Sequence, residues 1–221
     1  MMKRSLLAGL GALALVTSAS AADLPRANAP YAAPAFVSGY NWTGFYLGIN
    51  AGGAWGRSSW DALAVTTNPS GGMIGVTAGY NWQGAGSPWV FGLEGDVDWT
   101  GINGGTATCT GAVCETKNSW LSTIRGRVGY GWDRILPYLT GGLAVGNIQV
   151  NRSGFAGTSE TKAGWALGLG VEAAISGRLT GKVEYLYADL GSTNCSVANC
   201  GTANNTDLRM HILRAGLNWR F

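Results

Sequence analysis

The stretch Leu213-Arg214-Ala215-Gly216-Leu217-Asn218-Trp219-Arg220-Phe221 sets an apolar side chain at every second position and closes on an aromatic residue. A period of two puts the apolar set on one face of a strand and Arg214, Gly216, Asn218 and Arg220 on the other. An apolar outer face and a polar inner face on the last strand read as the closing strand of an outer-membrane β-barrel.

Outward from that strand, seven earlier segments carry the same alternation. Phe45, Leu47, Ile49, Ala51 and Trp55 alternate with Tyr46, Gly48, Asn50 and Gly52, and Ile74, Val76, Ala78, Tyr80 and Trp82 alternate with Gly75, Thr77, Gly79 and Asn81. Trp89, Phe91, Leu93, Val97 and Trp99 oppose Glu94, Asp96 and Asp98, and Trp120, Ile124, Val128 and Tyr130 oppose Arg125 and Arg127. The remaining outward sets are Pro137, Leu139, Leu143 and Val145; Trp165, Leu167, Leu169 and Val171; and Leu179, Val183, Tyr185 and Tyr187. Each segment is near the 9–11 residues that a tilted membrane strand requires. The expected fold is all-β, an eight-stranded antiparallel up-and-down transmembrane β-barrel over residues 43–221.

The other end of the chain fits the same compartment. Lys3 and Arg4, an apolar run from Leu6 to Val16 and Ala19-Ser20-Ala21 have the three-part form of a secretory signal peptide over residues 1–21. That apolar run is short of the 17–25 residues of a membrane helix. Removing it takes two of the 15 basic side chains and leaves 13 against 12 acidic ones, so no nucleic-acid partner is implied. Residues 22–42, with Pro25, Pro30 and Pro34, read as a periplasmic lead-in.

Composition and connection lengths agree. Thirty-six glycines, ten tryptophans and 12% charged residues suit tightly curved strands and membrane interfaces better than a soluble enzyme. Residues 83–88, 133–136 and 176–178 are short links, whereas 57–71, 101–118, 147–162 and 191–207 are long and polar. Such barrels put short turns in the periplasm and long loops outside. Trp42, Trp82, Trp89, Trp132 and Trp219 then form a periplasmic aromatic girdle, and Trp55, Trp99, Trp120 and Trp165 an external one.

Eight strands enclose a lumen just wide enough for side chains to fill. The inward charges are Glu94, Asp96, Asp98, Glu172 and Glu184 against Arg125, Arg127, Lys182, Arg214 and Arg220, a balance that predicts a plugging network. Facing Trp99 on Trp120 sets Glu94 opposite Arg125, and facing Ile175 on Leu179 sets Glu172 opposite Lys182. The competing reading of Glu94, Asp96 and Asp98 is a hard-cation site, because carboxylates two apart share a face. Cys109/Cys114 and Cys195/Cys200 predict two intraloop disulfides, with a cross-link between the loops as the alternative. No cofactor or metal is expected. An enzyme class such as a lipid hydrolase would need a Ser–His pair, and His211 is the sole histidine.

Asn41-Trp-Thr-Gly-Phe-Tyr-Leu-Gly48, Pro137-Tyr-Leu-Thr-Gly-Gly142, Val183-Glu-Tyr-Leu-Tyr-Ala-Asp-Leu-Gly191 and Arg214-Ala-Gly-Leu-Asn-Trp-Arg-Phe221 resemble the small outer-membrane β-barrel family of alphaproteobacteria, the porin-family or immunogenic outer-membrane proteins, over essentially the whole mature chain. That family is similar to the OmpA transmembrane barrel. The resemblance implies an abundant, surface-exposed integral outer-membrane protein that serves envelope integrity and surface recognition, with no catalytic residues. It further implies contact with outer-membrane lipids and lipopolysaccharide, host or surface ligands at the external loops, and an assembly signal for the barrel-assembly machinery in Leu213, Leu217, Trp219 and Phe221. A narrow channel for small solutes is the alternative function.

Overall fold

The computed structural model describes residues 39–60, 65–104, 107–109, 112–154, 156–197 and 204–221. Residues 1–38, where the sequence predicts a signal peptide and most of a periplasmic lead-in, lie outside them. Eight long antiparallel strands form the wall: β1 (Gly44–Trp60), β3 (Ser70–Gln83), β4 (Trp89–Asn103), β6 (Ala112–Tyr130), β7 (Ile135–Arg152), β8 (Thr158–Ser176), β9 (Leu179–Cys195) and β10 (Asn204–Arg220). Two three-residue strands, β2 (Val65–Thr67) and β5 (Ala107–Cys109), pair with β1 and β6. Each long strand bonds to its long-strand neighbour in the chain and β10 bonds to β1, so the eight long strands close into a barrel.

The alternation read from sequence is the one the wall uses. Ile49, Ile74, Leu93, Ile124, Leu143, Leu167, Val183 and Leu213 are exposed on the outside, while Asn50, Thr77, Glu94, Arg125, Thr140, Glu184 and Arg214 are buried inside. Two glycines show how so narrow a lumen accepts long side chains. A Cβ at Gly92 would stand 2.8 Å from Arg127 Cγ, and one at Gly170 would stand 2.6 Å from the Tyr138 ring. Each of these two glycines vacates volume that a large side chain on the next strand fills.

Three features of the wall correct the sequence reading. The strands run to 14–19 residues, not 9–11. At about 3.4 Å per residue and the usual tilt they stand roughly 35–50 Å tall, against an apolar band of about 25 Å. Much of 101–118, 147–162 and 191–207 is therefore strand. Those parts rise beyond the apolar band, where the outer face is polar and the two-residue hydrophobic signal disappears. The second correction is at Ile175, which does not face Leu179. A bulge between Ala174 and Ser176 makes Ser176 the partner of Leu179. Glu172 still opposes Lys182, as Glu94 opposes Arg125 and Trp99 opposes Trp120. The third is the link before β7, a two-residue hairpin in which Trp132 and Ile135 exchange both backbone hydrogen bonds and Asp133 takes φ 52°.

Trp42 leaves the girdle. It is fully buried with Val90, Leu136 and Ala174 at the short-turn end of the lumen. Its backbone N–H donates to Gln83 Oε1 at 2.9 Å, and Tyr40 packs edge-on against its ring at 4.8 Å. A tryptophan in the last turn before β1 can enter the barrel mouth, and apolar side chains there have nowhere else to shed water. Trp55, Trp82, Trp89, Trp99, Trp132, Trp165 and Trp219 are exposed on the outer surface, and Trp120 is half-buried opposite Trp99.

Candidate functional site

The interior divides into three layers. In the middle, nine inward charges are at most 4% exposed: Glu94, Asp96, Asp98, Arg125, Arg127, Glu172, Lys182, Glu184 and Arg214. Arg125 Nη2 donates to Glu94 Oε1 at 2.8 Å and to Asp96 Oδ2 at 2.7 Å, while its Nη1 reaches Glu184 Oε2 across the lumen at 3.0 Å. Its Nε is taken by Thr123 Oγ1 at 2.7 Å. Arg214 forms a second hub, with Nη1 on Asp98 Oδ2 at 2.7 Å, Nη2 on Asp96 Oδ2 at 2.9 Å and Nε on Glu184 Oε1 at 2.9 Å.

Nearer the short-turn end, Arg127 Nη2 donates to Glu172 Oε2 at 2.7 Å and its guanidinium lies 4.0 Å from the centre of the Tyr138 ring. Lys182 Nζ binds Glu94 Oε2 at 2.8 Å. Tyr46 donates to Glu94 at 2.8 Å and Tyr138 to Glu184 at 3.0 Å. Thr180 and Asn218 donate to Glu172 Oε1. The wall register sets Glu172 opposite Lys182, yet each bonds elsewhere, because long side chains in a closed barrel reach across the axis. Burying an ion costs several kcal/mol unless partners return it. Here each hub has several, and hydroxyl and amide donors take further oxygens of Glu94, Glu172 and Glu184, while Asp98 Oδ1 has no hydrogen-bond partner among the described residues.

The carboxylates of the competing cation-site reading are turned to basic side chains. Glu94 and Asp96 turn their oxygens to the Arg125, Arg214 and Lys182 donors. Arg220, expected in the network, is not part of it. It sits at the rim, donates to the Asn41 carbonyl and stacks 4.4 Å from the centre of the Tyr40 ring. One residue beyond Trp219, the strand has already left the lumen. Five carboxylates therefore meet four cations.

Two apolar layers enclose the charges, and neither is expected from the sequence. Trp42, Val90, Leu136 and Ala174 close the short-turn end. On the other side Ile102, Leu121, Ile148, Leu186, Leu190, Leu208, Met210 and Ile212 fill the interior, all within 1% of complete burial. The signal was present as apolar residues on both phases of Met210-His-Ile-Leu213 and Leu186-Tyr-Ala-Asp-Leu190. It points to strand faces that are packed inside as well as outside.

The backbone pairs Ala107 with Cys114 and Cys109 with Ala112. The disulfides themselves fall outside the described residues, as do the side chains of Cys109, Cys114 and Cys195 and the whole of Cys200. His211 is on the outer wall, where Nδ1 lies 2.6 Å from the Tyr185 hydroxyl and the ring stacks on Trp55.

Comparison with known proteins agrees with this architecture. Over 248 aligned positions the chain is 38% identical to the 31 kDa outer-membrane immunogenic protein of Brucella melitensis, covering all of both chains. It is 35% identical to a 22 kDa outer membrane protein of Rhizobium leguminosarum bv. viciae, across 69% of this chain and 66% of that one. The crystal structure of Neisserial surface protein A superposes with a TM-score of 0.49 at 20% identity, over 81% of this chain and 98% of that one. The model of the outer membrane protein beta-barrel domain matches residues 9–221, and the chain belongs to that family as an integral outer-membrane β-barrel protein.

Proposed function

We propose that this barrel is a structural, surface-exposed component of the outer membrane whose lumen is shut, serving envelope integrity and surface recognition rather than solute passage or catalysis. The observation that carries this reading is the layered interior. A continuous ion-pair network spans the axis and is capped on both sides by packed apolar side chains. A permeant ion would have to break pairs that no water column replaces. Recognition by antibodies is supported by the immunogenic relatives and by the external connections that the strands hold clear of the membrane. The outward Leu213, Leu217 and Trp219 of β10, with Phe221 just beyond it, are the face offered to the assembly machinery.

Solute flux tests the shut lumen. Proteoliposomes loaded with a large sugar and diluted into isotonic arabinose should swell no faster than protein-free vesicles. Swelling that rises in proportion to the protein would establish a diffusion channel.

A further inference from the structure

The seam where β1 meets β10 carries an arrangement on its outer face that neither the lumen nor the girdles account for. Arg57 lies directly opposite Arg209 on the neighbouring strand, and both side chains are exposed. Like charges in opposed positions destabilise a sheet unless an anion joins them. Arg209 has one partner, Asp189 at 3.3 Å, yet remains 59% exposed. Among the described residues no carboxylate pairs with Arg57.

The two guanidiniums border a cleft of about 730 Å³ that also includes Trp55, Tyr187 and His211, with the single carboxylate of Asp207 among its lining residues. Trp55 opposes His211 one outward position below the arginines, and Tyr187 packs on His211 at 5.3 Å. Further down the same seam Ala51 opposes Ala215. These small side chains, set between the exposed Ile49, Ile74 and Leu217, leave an apolar groove of about 490 Å³. Arg57 and Ala51 are six residues apart on β1, roughly 20 Å of strand. From the external end downward, the order is the two guanidiniums with the Asp207 and Asp189 carboxylates beside them, then an aromatic layer, then an apolar groove.

We propose that this seam is a binding site for a phosphorylated glycolipid of the outer leaflet. Its phosphate bridges Arg57 and Arg209, its sugar lies on the Trp55, His211 and Tyr187 rings, and an acyl chain occupies the groove over Ala51 and Ala215. Guanidinium forks match phosphate oxygens bidentately. The aromatic layer selects a sugar-bearing headgroup over that of a simple phospholipid. The bridging anion also relieves the Arg57–Arg209 repulsion. The site lies outside the wall, so it stands whether or not the lumen conducts.

The test uses the refolded full barrel in phosphatidylcholine nanodiscs, with retained lipid measured by native mass spectrometry. Bisphosphorylated lipid A should be retained by the wild type. Arg57→Gln with Arg209→Gln should weaken it roughly tenfold or more, since hydrogen bonds to charged groups are worth at least that factor. Ala215→Phe, which fills the groove and leaves both arginines, should weaken it as well, whereas Arg178→Gln at the opposite end should not. Dephosphorylated lipid A and phosphatidylglycerol should be retained poorly by the wild type. These two arms need no variant to fold. Equal retention of lipid A by the double variant, or of dephosphorylated lipid A or phosphatidylglycerol by the wild type, would overturn the proposal. So would inorganic pyrophosphate that competes as strongly as lipid A itself.

Discussion

At the residue scale, Arg125 and Arg220 look alike in the sequence and differ in the barrel. Arg125 is fully buried and bonds to Glu94, Asp96 and Glu184, whereas Arg220 stacks on Tyr40 at the rim. Removing one partner of a buried pair strands the others, so Arg125→Ala should destabilise the barrel by about 3–5 kcal/mol. Arg220→Ala should change stability by only about 1 kcal/mol or less, the size of a cation–π contact at an exposed site. Urea unfolding of protein refolded into lipid vesicles measures both, and equal effects would contradict the layered interior. Gly170 tests the same crowding without changing a charge. Its Cβ would meet the Tyr138 ring at 2.6 Å, so Gly170→Ala should cost about 1–3 kcal/mol, the usual penalty of overpacking. In the same unfolding assay, Gly86→Ala serves as a contrast, because nothing lies within 4 Å there and only its positive φ resists a side chain.

At the scale of elements, the parts legible in the sequence are those where one face meets lipid and the other meets charge. β10 satisfies that over Leu213–Arg220, and so does β4 over Trp89–Trp99. Legibility fails where that contrast fails. Beyond Trp120 toward Ala112 and beyond Val145 toward Arg152, the strands carry on without an apolar outer band, so pairing persists while periodicity does not. The charged residues could be named from their phase, but their partners could not. Arg125 bonds to Glu184, 59 residues away, because the closed wall turns them toward one axis. Trp42 departs from the girdle for a similar reason, since its place depends on the barrel mouth and not on a strand phase.

The strand extensions also predict where the chain can be cut. Protease added to intact cells should cleave within the connections of β1 to β3, β4 to β6, β7 to β8 and β9 to β10. The paired stretch Asn147–Arg152 and the turn Ser176–Arg178 should be protected. Cleavage at that turn from outside would reverse the orientation. Tryptic peptides of unreduced protein should link Cys109 to Cys114 and Cys195 to Cys200, and a Cys109–Cys195 peptide would replace this pairing with a cross-link between loops.

At the scale of the whole molecule, the barrel is a closed wall around a packed interior. Exposed apolar side chains on the outside face lipid, and inside the wall a charge network lies between two apolar layers. Its central claim is that the axis is shut, and single-channel recording in a planar bilayer tests this most directly. The wild type should show at most rare, small events. Arg125→Ala combined with Lys182→Ala removes two cations that hold Glu94 and Glu184 and should raise cation conductance. Steady conductance from the wild type that scales with salt would contradict the account and recast the inward charges as the selectivity lining of an open pore.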